Sequence, residues 1–536
     1  MAIWRFSRVP SGALLWTCLL LGTWLSPRGA QAEGFEVSSL GARANGRGGA
    51  NFVGGDSPMG MFYNPAQIAR LPGHHAAAAL HLHFSERCMT RVQVDESTDP
   101  PSAGETFPEV CSEGPATVLP QVAATLRPAE GLTIGLGVEV PVAAFRDFHL
   151  GDPDTGTLDG DPDGEPTPTR YLLVQEKLLQ LFLTAGAAYE VTPQLRLGAS
   201  FGWGITKLDF TNAAFSRIET STEIFGFEAP ITARADALNR LEGTDAFVPR
   251  LNVGAWAKPV EDLPLELGLS YQWTGNVKTD DATLHLLGYN AEADTPIGTL
   301  TPELDAEGTV HGVGIDVPQT SRLAFGARYA QELDTPADDV GDRLSTERFD
   351  VEADLVLTFG KRVDRFRVDL PDDATLDATA TVDVPVLGPM TLPTTVELPD
   401  EIALEHRWKT QVGFRLGGDY TVVPGVFGVR AGLSFQSHGV KRGYEQLDFT
   451  PFRRTGIHLG ATVRIAHRVD ASLAYAHIFQ RTVENEPADA RYRRAATVTD
   501  EEDPDAEPTD EDAAIVNAGT ITGHTHLLML ELAAHF

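Results

Sequence analysis

Apolar side chains alternate with small or polar ones along most of this chain, the period of a strand whose two faces meet different surroundings. Leu195, Leu197, Ala199, Phe201, Trp203 and Ile205 fall on one face of such a segment, against Arg196, Gly198, Ser200, Gly202, Gly204 and Thr206 on the other. Leu265, Leu267, Leu269, Tyr271 and Trp273 oppose Glu266, Gly268, Ser270 and Gln272. Val412, Phe414, Leu416 and Tyr420 oppose Gln411, Arg415 and Asp419, and Phe427, Val429, Ala431, Leu433 and Phe435 oppose Arg430, Ser434 and Gln436. A soluble sandwich alternates in the same way. Two further features favour a membrane barrel: aromatics such as Trp203, Trp273 and Phe435 sit near strand ends, and the connections alternate short and long.

The short connections are residues 128–131, 192–194, 261–264, 423–425 and 467–470. The long ones cover 85–116, 146–169, 209–246, 279–319, 366–406, 443–454 and 484–523, and 331–347 is a long turn on the inner side. Short turns face the periplasm and long loops the exterior in such barrels, so the chain orients itself. The pattern predicts an all-β fold, a transmembrane antiparallel β-barrel of about 14 strands from residues 75–84 to 526–536, with both ends at the periplasm. The last strand sets Leu528, Leu530, Leu532, Ala534 and Phe536 on the lipid face, the ending that the barrel assembly machinery is expected to read.

The start of the chain adds a compartment. Arg5 and Arg8, an apolar run over residues 13–25 and Ala30-Gln31-Ala32 have the order of a secretory signal, predicted over residues 1–32. That run is short for a membrane-spanning helix, and no other stretch approaches the roughly 20 apolar residues that one needs. The formal charge of −33 offers no basic face to a phosphate backbone, which argues against nucleic acid. The acidity gathers in residues 152–165, 332–342 and 500–512, read as solvated outer loops and turns. Cys88 and Cys111 remain after the signal, and an even pair in an exported chain points to a disulfide.

Between signal and first strand lie Gly34-Phe35, Ser38-Ser39-Leu40-Gly41-Ala42-Arg43-Ala44, small residues through Gly54-Gly55-Asp56, and Phe62-Tyr63-Asn64-Pro65-Ala66-Gln67-Ile68-Ala69. This segment resembles the N-terminal hatch of the FadL family of outer-membrane transporters for long-chain fatty acids and other hydrophobic compounds. The resemblance covers residues 34–72 and, loosely, 132–141. It implies a hatch over residues 33–74 plugging a barrel over residues 75–536, with Phe35, Asn64, Pro65, Ala66 and Pro141 in the hatch and transport machinery. It also implies a lateral opening at a kink in strand three. Pro141, which lacks a ladder N–H, reads either as that kink or as a plain strand end, and Asn64-Pro65-Ala66 is expected to hold the plug against the gap.

The family's substrate pocket lies between hatch and outer loops. Here those loops offer Phe210, Phe215, Ile224, Phe225 and Phe227, and Leu284, Leu286, Leu287 and Tyr289, with Arg217 or His285 for a carboxylate. Packing between loops explains the same apolar residues. Asp159, Asp161 and Asp163 match the first half of a calcium loop, but Arg170 stands where a bidentate Glu belongs, and a solvated turn cluster reads equally from that run. His75, His81 and His83 share the inward face of strand one and line the lumen, with no fourth ligand in place for zinc. No resident cofactor is expected beyond that possible calcium, and the sequence carries no hydrolase, zinc-protease, nucleotide or dinucleotide motif. A monomer is expected, contacting outer-membrane lipid, lipopolysaccharide and a hydrophobic ligand. The competing classes are a water-filled porin and a surface adhesin or enzyme on the same scaffold.

Overall fold

The computed structural model describes residues 40–148, 167–224, 227–295, 298–300, 303–305, 308–371, 374–384, 388–397, 400–449, 451–494 and 514–536. Among these, fourteen strands form the wall: β1 His75–Asp95, β2 Thr117–Ala129, β3 Leu132–Asp147, β4 Gln175–Thr192, β5 Leu195–Ile224, β6 Phe227–Ala257 and β7 Leu265–Thr274, followed by β8 Ser321–Glu332, β9 Glu347–Phe359, β10 Gln411–Val423, β11 Phe427–Gln436, β12 Arg454–Ala466, β13 Val469–Gln480 and β14 Gly519–His535. Each pairs antiparallel with the next, and β14 returns to β1 in register from His75↔His535 to Arg91↔Gly519. Closure gives every wall strand a partner on both sides, which is the condition for a strand structure to sit in hydrocarbon.

The alternation read from the sequence sorts correctly between lipid and lumen. Leu197, Phe201, Trp203 and Ile205 are exposed on the outside of β5, as are Leu528, Leu530 and Leu532 on β14. His75, Ala77, Ala79 and His81 of β1 are buried inside.

The long outer connections differ from expectation. They are not open loops: β5 and β6 run on as a 30- and a 31-residue hairpin, roughly three times what a bilayer needs. Residues 277–286 pair with 308–317, and 365–369 with 401–405, so the sheet continues outward beyond the membrane. Outside lipid a strand needs no apolar face, so sequence alternation fades while backbone hydrogen bonding continues. At the base of this extension Cys88 and Cys111 face each other across β1 and the strand Ser102–Cys111, joined as a disulfide.

Inside the wall, residues 40–69 are buried almost without exception. They form a one-turn helix α1, Ala42–Gly46, and two 3-10 turns, Pro58–Phe62 and Pro65–Arg70. The inner turn after β8 also folds upward: Asp342 caps a short helix α2, Arg343–Thr346, whose residues Arg343, Leu344 and Ser345 are buried.

Candidate functional site

β9 reads Asp350-Val351-Glu352-Ala353-Asp354, and its pleat turns the three carboxylates inward. Three buried acids on one face require partners, and residues 47–54 of the plug supply them. Arg47 binds Asp350 at 2.8 Å, Glu352 at 2.9 Å and also Asp419 of β10. The backbone N–H groups of Val53 and Gly54 donate to Glu352 at 2.8 and 3.0 Å, and that of Asn51 donates to Asp354 at 2.9 Å. From the wall, Arg328 of β8 reaches Asp350 at 2.7 Å and Glu266 at 2.8 Å, and also Glu347. From below, Arg343 of α2 donates to Gly54 O at 2.6 Å and pairs with Asp350 at 2.7 Å. On the far side Arg43 pairs with Asp56 and with Asp470 of β13, both at 2.8 Å. Burial alone would push the Asp56 carboxyl up, but Arg43 and then Arg343 override it and hold it well below the usual carboxylate range. Its contribution is therefore complete above the ordinary carboxylate pKa of about 4 and is lost only as pH falls through the depressed value. None of this network stood out in the sequence reading. The signal available was the acidic row at every second position of a strand.

Asn64 caps the second 3-10 turn, accepting from Ala66 N at 3.1 Å, and its Nδ2 donates to Phe52 O at 2.9 Å and to Ala255 O of β6 at 3.0 Å. Two wall glycines make room for the motif. A Cβ on Gly198 would lie 2.5 Å from Ala66 N, and one on Gly254 would lie 1.9 Å from Asn64 Oδ1. The motif thus docks on β5 and β6, not at strand three as expected. The residues that reach β3 are Met61, Phe62 and Ile68, which fill the space over Gly135 and Gly137. The apolar side chains serve there because β3 offers the plug no carboxylate below Glu139.

At β3 the ladder is interrupted. Pairing with β2 stops at Val122↔Val138, although β2 stays paired with β1 up to Thr117↔His83. On its other side β3 shifts register against β4 between Glu139 and Val142. Pro141 sits in that bulge, where its missing N–H costs no ladder bond. Residues 139–144 are buried without alternation, and Leu119, Val140 and Ala143 pack together there. Above the break, Glu113 N donates to Asp147 O at 2.7 Å and closes the wall again.

The outer half of the lumen holds an apolar cluster, with Arg87, Glu176 and His406 also buried there. Phe148, Leu172, Leu173, Phe182, Phe366, Trp408, Leu447, Phe449 and Phe452 are among its buried side chains. Phe210 packs against this cluster with its ring 5.7 Å from that of Phe449, and Leu284 is buried in it. Phe215, Phe227, Leu286, Leu287 and Tyr289 lie on the backbone of the strand extensions, with side chains outside the described part. Arg217 has the same standing, and His285 Nδ1 lies 3.2 Å from Thr309 Oγ1 on the outer hairpin. Phe35, Phe225 and the aspartates 159, 161 and 163 fall outside the described residues. Sequence reasoning missed the segments 167–174 and 443–454, whose Leu172, Leu173, Phe449 and Phe452 fill the mouth.

A closed fourteen-stranded barrel with an apolar outer face and a filled lumen is an outer-membrane β-barrel. Its particular fold is shared with a FadL homologue and with two toluene transporters. A Pseudomonas aeruginosa FadL homologue superimposes with a TM-score of 0.59 at 14% identity, over 94% of this chain and 100% of that one. The Pseudomonas putida toluene transporter TodX gives 0.54 at 14% identity, over 94% of this chain and 99% of that one. The Ralstonia pickettii toluene transporter TbuX gives 0.50 at 15% identity, over 93% of this chain and 99% of that one. No family model and no curated protein matches the sequence.

Proposed function

We propose that this barrel passes hydrophobic small molecules across the outer membrane of a Gram-negative cell, long-chain fatty acids first among them. Ligand collects in the apolar cluster at the outer mouth, moves past the hatch and leaves sideways at β3. The observation that carries the reading is the interrupted ladder above the Val122–Val138 pair, next to a lumen plugged by residues 40–71. A lateral exit spares an apolar molecule the water of the periplasm, and apolar walls lower its transfer cost at each step. A water-filled porin fits poorly with a lumen occupied by a plug and charged side chains. Monoaromatic hydrocarbons are the second ligand class, supported by the ring cluster of Phe210, Phe366, Trp408 and Phe449 and by similarity in fold to toluene transporters.

The test is uptake of labelled oleate and labelled toluene by cells lacking their own transporter of this kind. Expression of the protein should raise uptake of at least one of them, with low ion conductance in planar bilayers. Ion conductance without uptake of either compound would replace this reading with a porin.

A further inference from the structure

On the outer wall, where the first and last strands meet, three imidazoles face the surroundings together. His524 and His526 stand two apart on one face of β14, and His477 of β13 is the direct cross-strand partner of His526. Glu86 of β1 pairs with His524 on the other side, its Oε1 3.8 Å from His524 Nδ1. The group lies just beyond the lipid-facing leucines Leu528, Leu530 and Leu532, at the outer rim of the apolar belt. The transport path lies inside the wall and uses none of these residues.

We infer that His477, His524 and His526 form a binding site for a divalent transition metal that prefers imidazole, zinc(II) being the representative ion. A tetrahedral zinc with bonds of about 2.1 Å holds its ligand nitrogens roughly 3.4 Å apart and its imidazole centroids roughly 5 Å apart. The Nδ1 atoms of His477 and His526 are 3.2 Å apart, and the three ring centroids are separated by 4.4, 5.4 and 6.0 Å. Rotation of the exposed His524 ring brings its nitrogen to the same point, and the Tyr475 hydroxyl, 2.8 Å from His526 Nδ1, gives way to the ion. Three imidazoles with an open fourth position are an established zinc ligand set, and imidazole suits zinc, copper and nickel over magnesium or calcium. Glu86 is placed to accept from the remaining ring N–H of His524 or to take the fourth position. A bound ion would tie β13 to β14, one strand from the β14–β1 seam where the barrel closes.

A different cluster, Asp342, Asp470 and His535, already has its ligand atoms within 4.8 Å of one another. Its carboxylates already face Arg464 at 2.6 and 2.8 Å and Arg43 at 2.8 Å, so a further cation there meets guanidinium groups. It serves as the internal control.

The experiment is equilibrium dialysis of the untagged, detergent-folded protein against zinc chloride at pH 7.5, with metal counted by mass spectrometry. One equivalent should bind. His477→Ala and His526→Ala should each weaken binding by more than about 100-fold, beyond what a second-shell partner contributes, and His524→Ala should weaken it less. All three side chains point away from the lumen, so the shift in gel migration on boiling should report intact barrels in each variant. Affinity should fall on acidification, because protons compete with the metal for ligand nitrogens. No binding by the wild type, or an equivalent that survives in the triple alanine variant, would overturn the proposal. Neither outcome depends on whether the barrel carries hydrophobic cargo.

Discussion

Arg47 directs every nitrogen of its guanidinium at an acceptor: Nε at Ala50 O, and the two terminal nitrogens at Asp350, Glu352 and Asp419. Removing one partner from such a buried set costs about 3–5 kcal/mol, because the carboxylates stay behind without their counter-charge. Arg47→Ala should therefore loosen the plug. Protease added to the detergent-folded barrel should cut within residues 40–71, and ion conductance should rise. Arg47→Lys should rescue only in part, since an ammonium cannot reproduce the planar fork. Conductance and cleavage unchanged from wild type would contradict this account of how the plug is held. At this scale the sequence was partly legible. Asn64 could be singled out by its motif, but Arg47, Arg328 and Arg343 could not, because their partners lie up to hundreds of residues away and only the closed wall brings them together.

At the scale of elements, the docking of the second 3-10 turn on β5 and β6 depends on two missing side chains. Gly254→Val places methyl groups where the Asn64 amide now sits, since even a Cβ would be 1.9 Å from its oxygen. Uptake of the transported compound should fall severalfold in this variant, while the shift in gel migration on boiling stays as in wild type, because the wall strands still pair around the full circumference. Loss of the folded band would show instead that the plug is needed to close the wall. Strand existence and facing were readable wherever lipid enforces alternation, as in Leu197 to Ile205 or Leu528 to Leu532. The outer hairpins were read as loops, because beyond the membrane the pleat continues with no apolar face to announce it. The inner turn over 331–347 was located from its length, but not its upward fold, which rests on Arg343 of the turn reaching Gly54 O of the plug and Asp350 of the wall, and on Arg464 of the wall meeting Asp342 of the turn.

The whole molecule divides its lumen in two. The outer half carries an apolar cluster built from side chains of the wall and of the segments that fold into its mouth, and the inner half is a buried network of guanidinium and carboxylate groups that fixes the plug. Cargo that enters the first has no apolar route through the second. The break between β2 and β3 lies beside the apolar residues Met61, Phe62 and Ile68, where the two halves meet. The number of strands, read as about 14, followed from the alternation and the connection lengths together; the break did not, since Pro141 read equally as a strand end. The central claim is that cargo leaves there. If the ladder continued one step past Val122↔Val138, Gln121 and Glu139 would face each other. In the paired variant Gln121→Cys with Glu139→Cys, an oxidised link should stop uptake of labelled cargo, and reduction should restore it. Equal uptake by the oxidised and reduced forms, with the link verified by mass spectrometry, would contradict a lateral exit at β3.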